Sequence, residues 1–325
     1  MTSNSSLLRK ADLAIADIQA DGGELSPEQG ASFIRKLIAQ PTLIKMCRTV
    51  EMMAPTRKIN KIGFGTRILR KAQSATALTE SQRSKPTTSQ IQLNTEEQIA
   101  EIRLPYDVLE DNIERATTAD NGLPNTGPGG LRQTIIDLIA ERAALDIEEL
   151  CLKSDTAYVN GADADDQDYI SQFDGWYKTA YTNGHLVDAA NTSVSKTLFK
   201  RGLQALPSQY QRNKAALKQF VSVNNETEYR DTLSDRVGEL GDALTQGTAP
   251  VYAYGSPVMP VALMPETEGL YTDPLNLIFG IQRQMSMEFD KDITARVYII
   301  VLTCRVAVQI EEADAIVAYE NILAA

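Results

Sequence analysis

Two periods of hydrophobic spacing alternate along the chain, and the switches between them divide it. Residues 7–18 place Leu7, Ala11, Ala14, Ile15 and Ile18 on one helical face, and Gly22-Gly23 breaks the pattern. Ser26-Pro27-Glu28-Gln29 is a second start signal, with Ser at the N-cap, Pro at the first helical position and Gln two residues after it. The helix it opens presents Phe33, Ile34, Leu37 and Ile38 and is limited by Pro41. Residues 1–54 therefore predict an arm of helical pieces. From Pro55 the period becomes two: Ile62, Phe64, Thr66 and Ile68 alternate with Gly63, Gly65 and Arg67. Residues 72–90 are mostly Ala, Ser, Thr and Gln and offer almost nothing to bury. Alternation resumes at Ile91, Leu93 and Thr95, and again at Ala100, Ile102 and Leu104. This pattern predicts two long strands joined by a polar tip, a protruding hairpin. A free two-stranded hairpin is marginal in water, so this one needs a partner surface.

Pro105 closes the hairpin, and Tyr106–Arg115 reads as a short helix. The run from Asn121 to Gly130, with four Gly and two Pro, is a loop. It launches the strongest helix, 131–153, with Leu131, Ile135, Leu138, Ile139, Ala143, Ile147 and Leu150 as its stripe. At 1.5 Å per residue this helix spans roughly 35 Å. Residues 155–193 read as loop-rich. Thr197–Leu206 is amphipathic, Lys218–Val223 reads as a strand, and Glu226–Val237 as a helix. Tyr254–Val258 is a strand meeting a turn, and Leu275–Gly280 a short strand after Asp273-Pro274. The clearest strand is Val297–Ile310, and no internal repeat is present.

Charge changes this picture. Between Arg35 and Lys85 lie twelve basic residues opposed only by Glu51 and Glu80, a net +10, whereas the whole chain carries −11, leaving −21 for the remainder. An acidic body with one long basic strap suits a subunit that lays its strap on an identical neighbour, because opposite potentials steer and register association. The same acidity argues against general nucleic-acid or anionic-membrane binding by the body. The first residues lack the order of a signal peptide, and the longest apolar run, Val297–Leu302, is far short of the ~20 residues of a membrane span. Cys47, Cys151 and Cys304 are widely spaced and form no metal pattern, as expected of small apolar residues in a reducing compartment.

Candidate chemistry is thin. Asp163, Asp165, Asp166, Asp168 and Asp174 cluster in a loop reminiscent of a calcium site, but Asp168 stands where a sharp turn needs Gly, and no Glu closes the loop. His185, the only histidine, is expected in an exposed loop and has no nucleophile pattern to serve. Gly127-Pro128-Gly129-Gly130 lacks the Lys-Ser/Thr of a phosphate loop. No catalytic, cofactor-binding or metal-binding residue is assigned, and the chain reads as not an enzyme. The strap holds a single aromatic, Phe64, and so no stacking platform for nucleic acid. Its basic residues Arg57, Lys58, Lys61, Arg67, Arg70, Lys71, Arg83 and Lys85 are the candidate inter-subunit contacts.

The order of parts resembles the major capsid protein of tailed bacteriophages, whose fold encapsulin nanocompartments share. The segment Ile102–Asp111 is similar to that family's passage from its extended loop into the peripheral domain. Helix 131–153 looks like the family's spine helix. Leu203–Pro207 and Tyr254–Val258 are similar to recurring segments of its axial domain. The resemblance implies an α+β capsid fold with four parts. These are an N-terminal arm at 1–54, an extended hairpin loop at 55–103, a peripheral domain at 104–177 and 285–312, and an axial domain at 178–284 and 313–325.

It also implies a structural function. Identical chains would form pentamers and hexamers of an icosahedral shell enclosing double-stranded DNA, held on the inner face without sequence specificity. A portal and a separate scaffolding protein would be partners, and no membrane or cofactor would be involved; the roughly 25 residues before Ser26 are too few for a cleaved scaffolding segment. The protein would be assembled in the host cytoplasm and reside in the virion capsid. The alternatives are an encapsulin-like compartment around protein cargo, and a metal-dependent enzyme using the aspartate loop 163–174.

Overall fold

A computed structural model describes residues 43–63, 67–69, 71, 78–80, 83, 85–105, 131–234 and 250–324, with the side chains of 131–137, 284, 285, 287 and 289 left undescribed. The helices expected over 7–18, 26–40 and 106–115, and the loop 121–130, lie outside these residues.

The chain runs from a 3₁₀ turn at Ile44–Met46 into β1 (Arg48–Glu51), β2 (Thr56–Gly63), β3 (Thr87–Asn94) and β4 (Glu96–Pro105). Next come α1 (Leu131–Lys153), α2 (Ala164–Ile170), α3 (Trp176–Asn183), β5 (His185–Thr192) and α4 (Lys196–Ala205). β6 (Lys218–Val221) and α5 (Val223–Ser234) precede three strands, β7 (Tyr252–Ala253), β8 (Ser256–Pro260) and β9 (Gly269–Thr272). The long strands β10 (Leu277–Asp292) and β11 (Val297–Ile310) follow, and β12 (Val317–Ile322) ends the series.

Two main sheets result. The first has the order β1-β10-β11-β4, with β1 parallel to β10 and the other pairs antiparallel. The second has the order β5-β12-β9-β6-β8-β7. The hairpin β2–β3 is a separate two-stranded sheet, with Thr56 opposite Asn94 and Gly63 opposite Thr87. Alternation had marked 91–104 as one continuous arm; instead Thr95 separates β3 from β4, and β4 pairs with β11 along its whole length.

The second sheet is buried on both faces. On one face Phe220, Leu270 and Ala318 join Cys151, Leu152 and Trp176 from α1 and α3, together with Phe279, Cys304 and Val306 of the first sheet. On the other face Val221, Tyr271, Val317 and Tyr319 pack under α4 and α5 through Leu198, Phe199 and Tyr229. Neighbouring residues in a strand point to opposite faces, so each strand feeds both cores. The first of these cores is shared by both sheets.

Three expectations change. Residues 155–193 are ordered by two short helices and β5, because Asp163 caps α2 by accepting from the amides of Asp165 (3.1 Å) and Asp166 (3.3 Å). His185 opens β5 with its amide donating to the Ile316 carbonyl at 3.1 Å and is partly buried, not an exposed loop residue. The strand expected at Leu275–Gly280 begins at Leu277 and runs to Asp292. Helix α1 and strand β11 have the predicted limits. The β7–β8 turn places Tyr254 (φ 53°) and Gly255 (φ 92°) in left-handed backbone, which accounts for a glycine there.

Candidate assembly surface

The hairpin's side chains divide by parity. Directly opposed residues share a face, so Arg57 with Leu93, Ile59 with Ile91 and Lys61 with Ser89 lie on one side, and Lys58 with Gln92 and Ile62 with Thr88 on the other. The first face looks onto the chain's own first sheet. Leu93 is fully buried there among Val50, Met52, Ile278 and Ala307, with Ile59 and Ile91 half-buried beside it. Gln309 donates to the Gln92 carbonyl at 3.3 Å, and Thr95 to the Gln282 side chain at 2.8 Å. The base of the hairpin therefore already has its partner surface, within the same chain. This corrects the expectation that the whole hairpin awaits an external one.

Two of the predicted contact residues belong to this inner face. Lys61 is held by the Glu311 carbonyl and, at 3.0 Å, by the Glu312 carboxylate. Arg57 donates to the Glu51 carbonyl. Nearby, Arg48 pairs with Glu311 at 2.7 Å. The acidic pair Glu311-Glu312, which follows β11, is thus the hairpin's anchor, and sequence reasoning missed it.

The remaining candidates are outward. Lys58, Arg67, Lys71, Arg83 and Lys85 are all exposed, and Arg70 lies outside the described residues. Arg83 donates to the Leu78 carbonyl at 3.2 Å. With them go exposed apolar side chains: Ile62 is 74% exposed and Leu69 90%. Basic and apolar groups displayed together past a fixed base form a surface suited to another chain, since large exposed apolar residues in a group mark interaction sites.

The aspartate loop holds no such promise. Asp166 accepts from the Asn160 side-chain amide (3.0 Å) and the Tyr158 hydroxyl (2.8 Å), which in that order hold its carboxyl below the usual range. Asp174 accepts from the amide and hydroxyl of Thr156. The carboxylates of Asp163, Asp166 and Asp174 are occupied in capping and loop bonds, and among the described residues no group of three or more acidic, His or Cys side chains is placed to hold a metal. Cys47, Cys151 and Cys304 are free and buried in one core, where burial pushes Cys47 up to about 12 and raises the other two as well. Such thiols are inert packing groups.

One buried carboxyl side chain was not anticipated. Glu148 of α1, 2% exposed, accepts from the Leu43 amide and so ties the start of the described chain to the helix. Only its position near the apolar stripe of α1 hinted at this.

Comparison with known proteins completes the picture. No family model matches the chain. The Bacillus subtilis (strain 168) protein YqbE, named as a prophage capsid protein, is 39% identical over 325 residues, covering 96% of this chain and 97% of its own. Among solved structures, the satellite phage P4 procapsid superposes with TM-score 0.61 at 12% identity over 95% of this chain and 98% of that one. The capsid of an empty GTA particle gives 0.59 at 14% over 95% and 100%. The SrpI encapsulin of Synechococcus elongatus PCC 7942 gives 0.55 at 11% over 95% and 96%. At these identities the solved structures speak for the fold, and the relative in Bacillus for the family. The chain belongs to the phage capsid proteins, with the fold that encapsulins share.

Proposed function

We propose that the protein is a major capsid subunit that assembles with copies of itself into pentamers and hexamers of an icosahedral shell around double-stranded DNA. In this reading residues 1–54 are the arm, 55–103 the extended hairpin loop, 104–177 and 285–312 the peripheral domain with α1 as its spine, and 178–284 and 313–325 the axial domain. The shell is a virion capsid built in the host cytoplasm, with a portal and a separate scaffolding protein as partners, and the subunit performs no catalysis.

The observation that carries the proposal is the split hairpin, anchored at its base and exposed beyond it. Lys58, Arg67, Lys71, Arg83 and Lys85 would meet the acidic body of the next subunit, whose charge is complementary. Such head-to-tail contacts must close into rings to avoid open fibres. The 39% identity to a protein named as a prophage capsid protein favours a viral shell over a cargo compartment.

Deleting residues 72–88 tests the reading. The variant should remain folded, because Leu93, Ile59 and Lys61 keep the base in place, yet electron microscopy should show no closed shells. Normal shells from the variant would refute the role given to the hairpin.

A further inference from the structure

A cavity of about 410 Å³ opens where the C-terminal end of α1 meets α3, the turn before β9 and the strand β12. Its charges are unevenly matched. Lys153 pairs with Glu149 at 2.8 Å and Lys178 with Asp155 at 2.9 Å, so both cations at the cavity have partners. Glu268 and Glu320 line the same space, and among the described residues neither has an ion-pair partner. Both carboxylates bear on the Tyr177 phenol, which burial above all, and then these charges, push upward. That phenol donates to the Tyr319 carbonyl at 3.0 Å, which fixes its ring. Tyr181 lies beside it, with ring centroids 6.4 Å apart at 37°, and is 45% exposed.

Two carboxylates outside any ion pair among the described residues, set against two tyrosine rings in a cavity with room for one long side chain, make a receptor for a cation. An anion would be repelled, and an apolar group would leave the carboxylates desolvated and unpaired. Burial lifts Glu268 to about 7 although the Lys153 charge acts to lower it, so its charged form is only partly stabilised where it sits. The chain itself offers matching cations. Lys58, Lys71 and Lys85 on the hairpin are exposed, whereas Arg57 and Arg83 are already bonded to backbone carbonyls.

We propose that the cavity bounded by Glu268, Glu320, Tyr177 and Tyr181 receives a lysine ammonium from the hairpin of a second copy of the chain. This rests on the self-assembly reading and names the surface that the hairpin meets.

The test uses particles assembled from equal amounts of ordinary and ¹⁵N-labelled full-length protein, treated with a carbodiimide that joins carboxylates to lysine amines without a spacer. Mass spectrometry should find Glu268 or Glu320 of one isotopic copy linked to Lys58, Lys71 or Lys85 of the other. The double variant Glu268→Gln/Glu320→Gln should keep the subunit's circular dichroism, lose that link, and need about tenfold more protein to form particles, one contact's worth of affinity. Links from these carboxylates confined to Lys153 of the same copy, with the double variant assembling at wild-type concentration, would overturn the inference and leave the capsid function standing. If the wild-type protein forms no particles under any condition, the capsid proposal falls and this inference falls with it.

Discussion

At the scale of single residues, the structure depends on a few sites where no substitute fits or where charge is displaced. Gly202 in α4 is one. A Cβ there would lie 1.8 Å from the Tyr319 hydroxyl, which in turn donates to the Gln219 side chain at 2.8 Å in full burial. Neither partner can retreat without breaking a buried hydrogen bond. Gly202→Ala should destabilise the subunit by about 1–3 kcal/mol, the usual cost of overfilling a core, and lower the thermal midpoint accordingly. Glu268 is another such site. Burial raises its folded pKa from the ordinary 4.5 to about 7, so the native state holds this proton more tightly than the unfolded chain does. The stability it contributes is complete at pH below 4.5 and is lost as pH rises through 7. Glu268→Gln abolishes that dependence. Allowing for partial solvent screening, the variant should exceed wild type by about 1–2 kcal/mol at pH 8 and match it only below the unfolded value of 4.5 in urea titrations of the isolated subunit. Parallel profiles for the two proteins would contradict the assignment.

At the scale of elements, the hairpin shows what a pattern can and cannot reveal. Its strands and its basic character were legible, because alternation and charge are local properties. The fate of each basic residue was not, because Lys61 meets acceptors 250 and 251 positions away. Helix α1 and strand β11 were readable to the residue, the one from its stripe and the other from fourteen residues of apolar alternation. Strand β9 was missed for a physical reason. Gly269–Thr272 is buried on both faces, so Leu270 serves one core and Tyr271 the other, and no polar residue marks a solvent side. The aspartates near 163–174 carried a genuine signal, a helix cap, which has the same composition as a metal loop. Since the base of the hairpin is fixed by packing, Leu93→Ala should cost about 2–5 kcal/mol, as other deep truncations do. It should also loosen β2 and β3 selectively, seen as faster amide exchange at Ile59 and Ile91 with β11 unchanged.

At the scale of the whole molecule, charge segregation is the leading feature. A net +10 over residues 35–85 faces −21 elsewhere, and exposed charges of this kind are screened over about 10 Å at 0.1 M salt. Assembly followed by light scattering should slow as salt rises from 0.05 to 0.5 M, roughly the range over which such screening becomes complete. Rates indifferent to salt would count against electrostatic registration. The core shared by both sheets has a different consequence. Trp176 and Ala180 of α3 lie in the same apolar cluster as Phe220 and Leu270 of one sheet and Phe279 and Cys304 of the other, all nearly sealed from water. Close-packed interiors resist deformation, so the two halves cannot pivot about one another without opening that seam. In the proposed shell, where identical copies would occupy unequal positions on a curved wall, the bending would have to be taken up outside this rigid block.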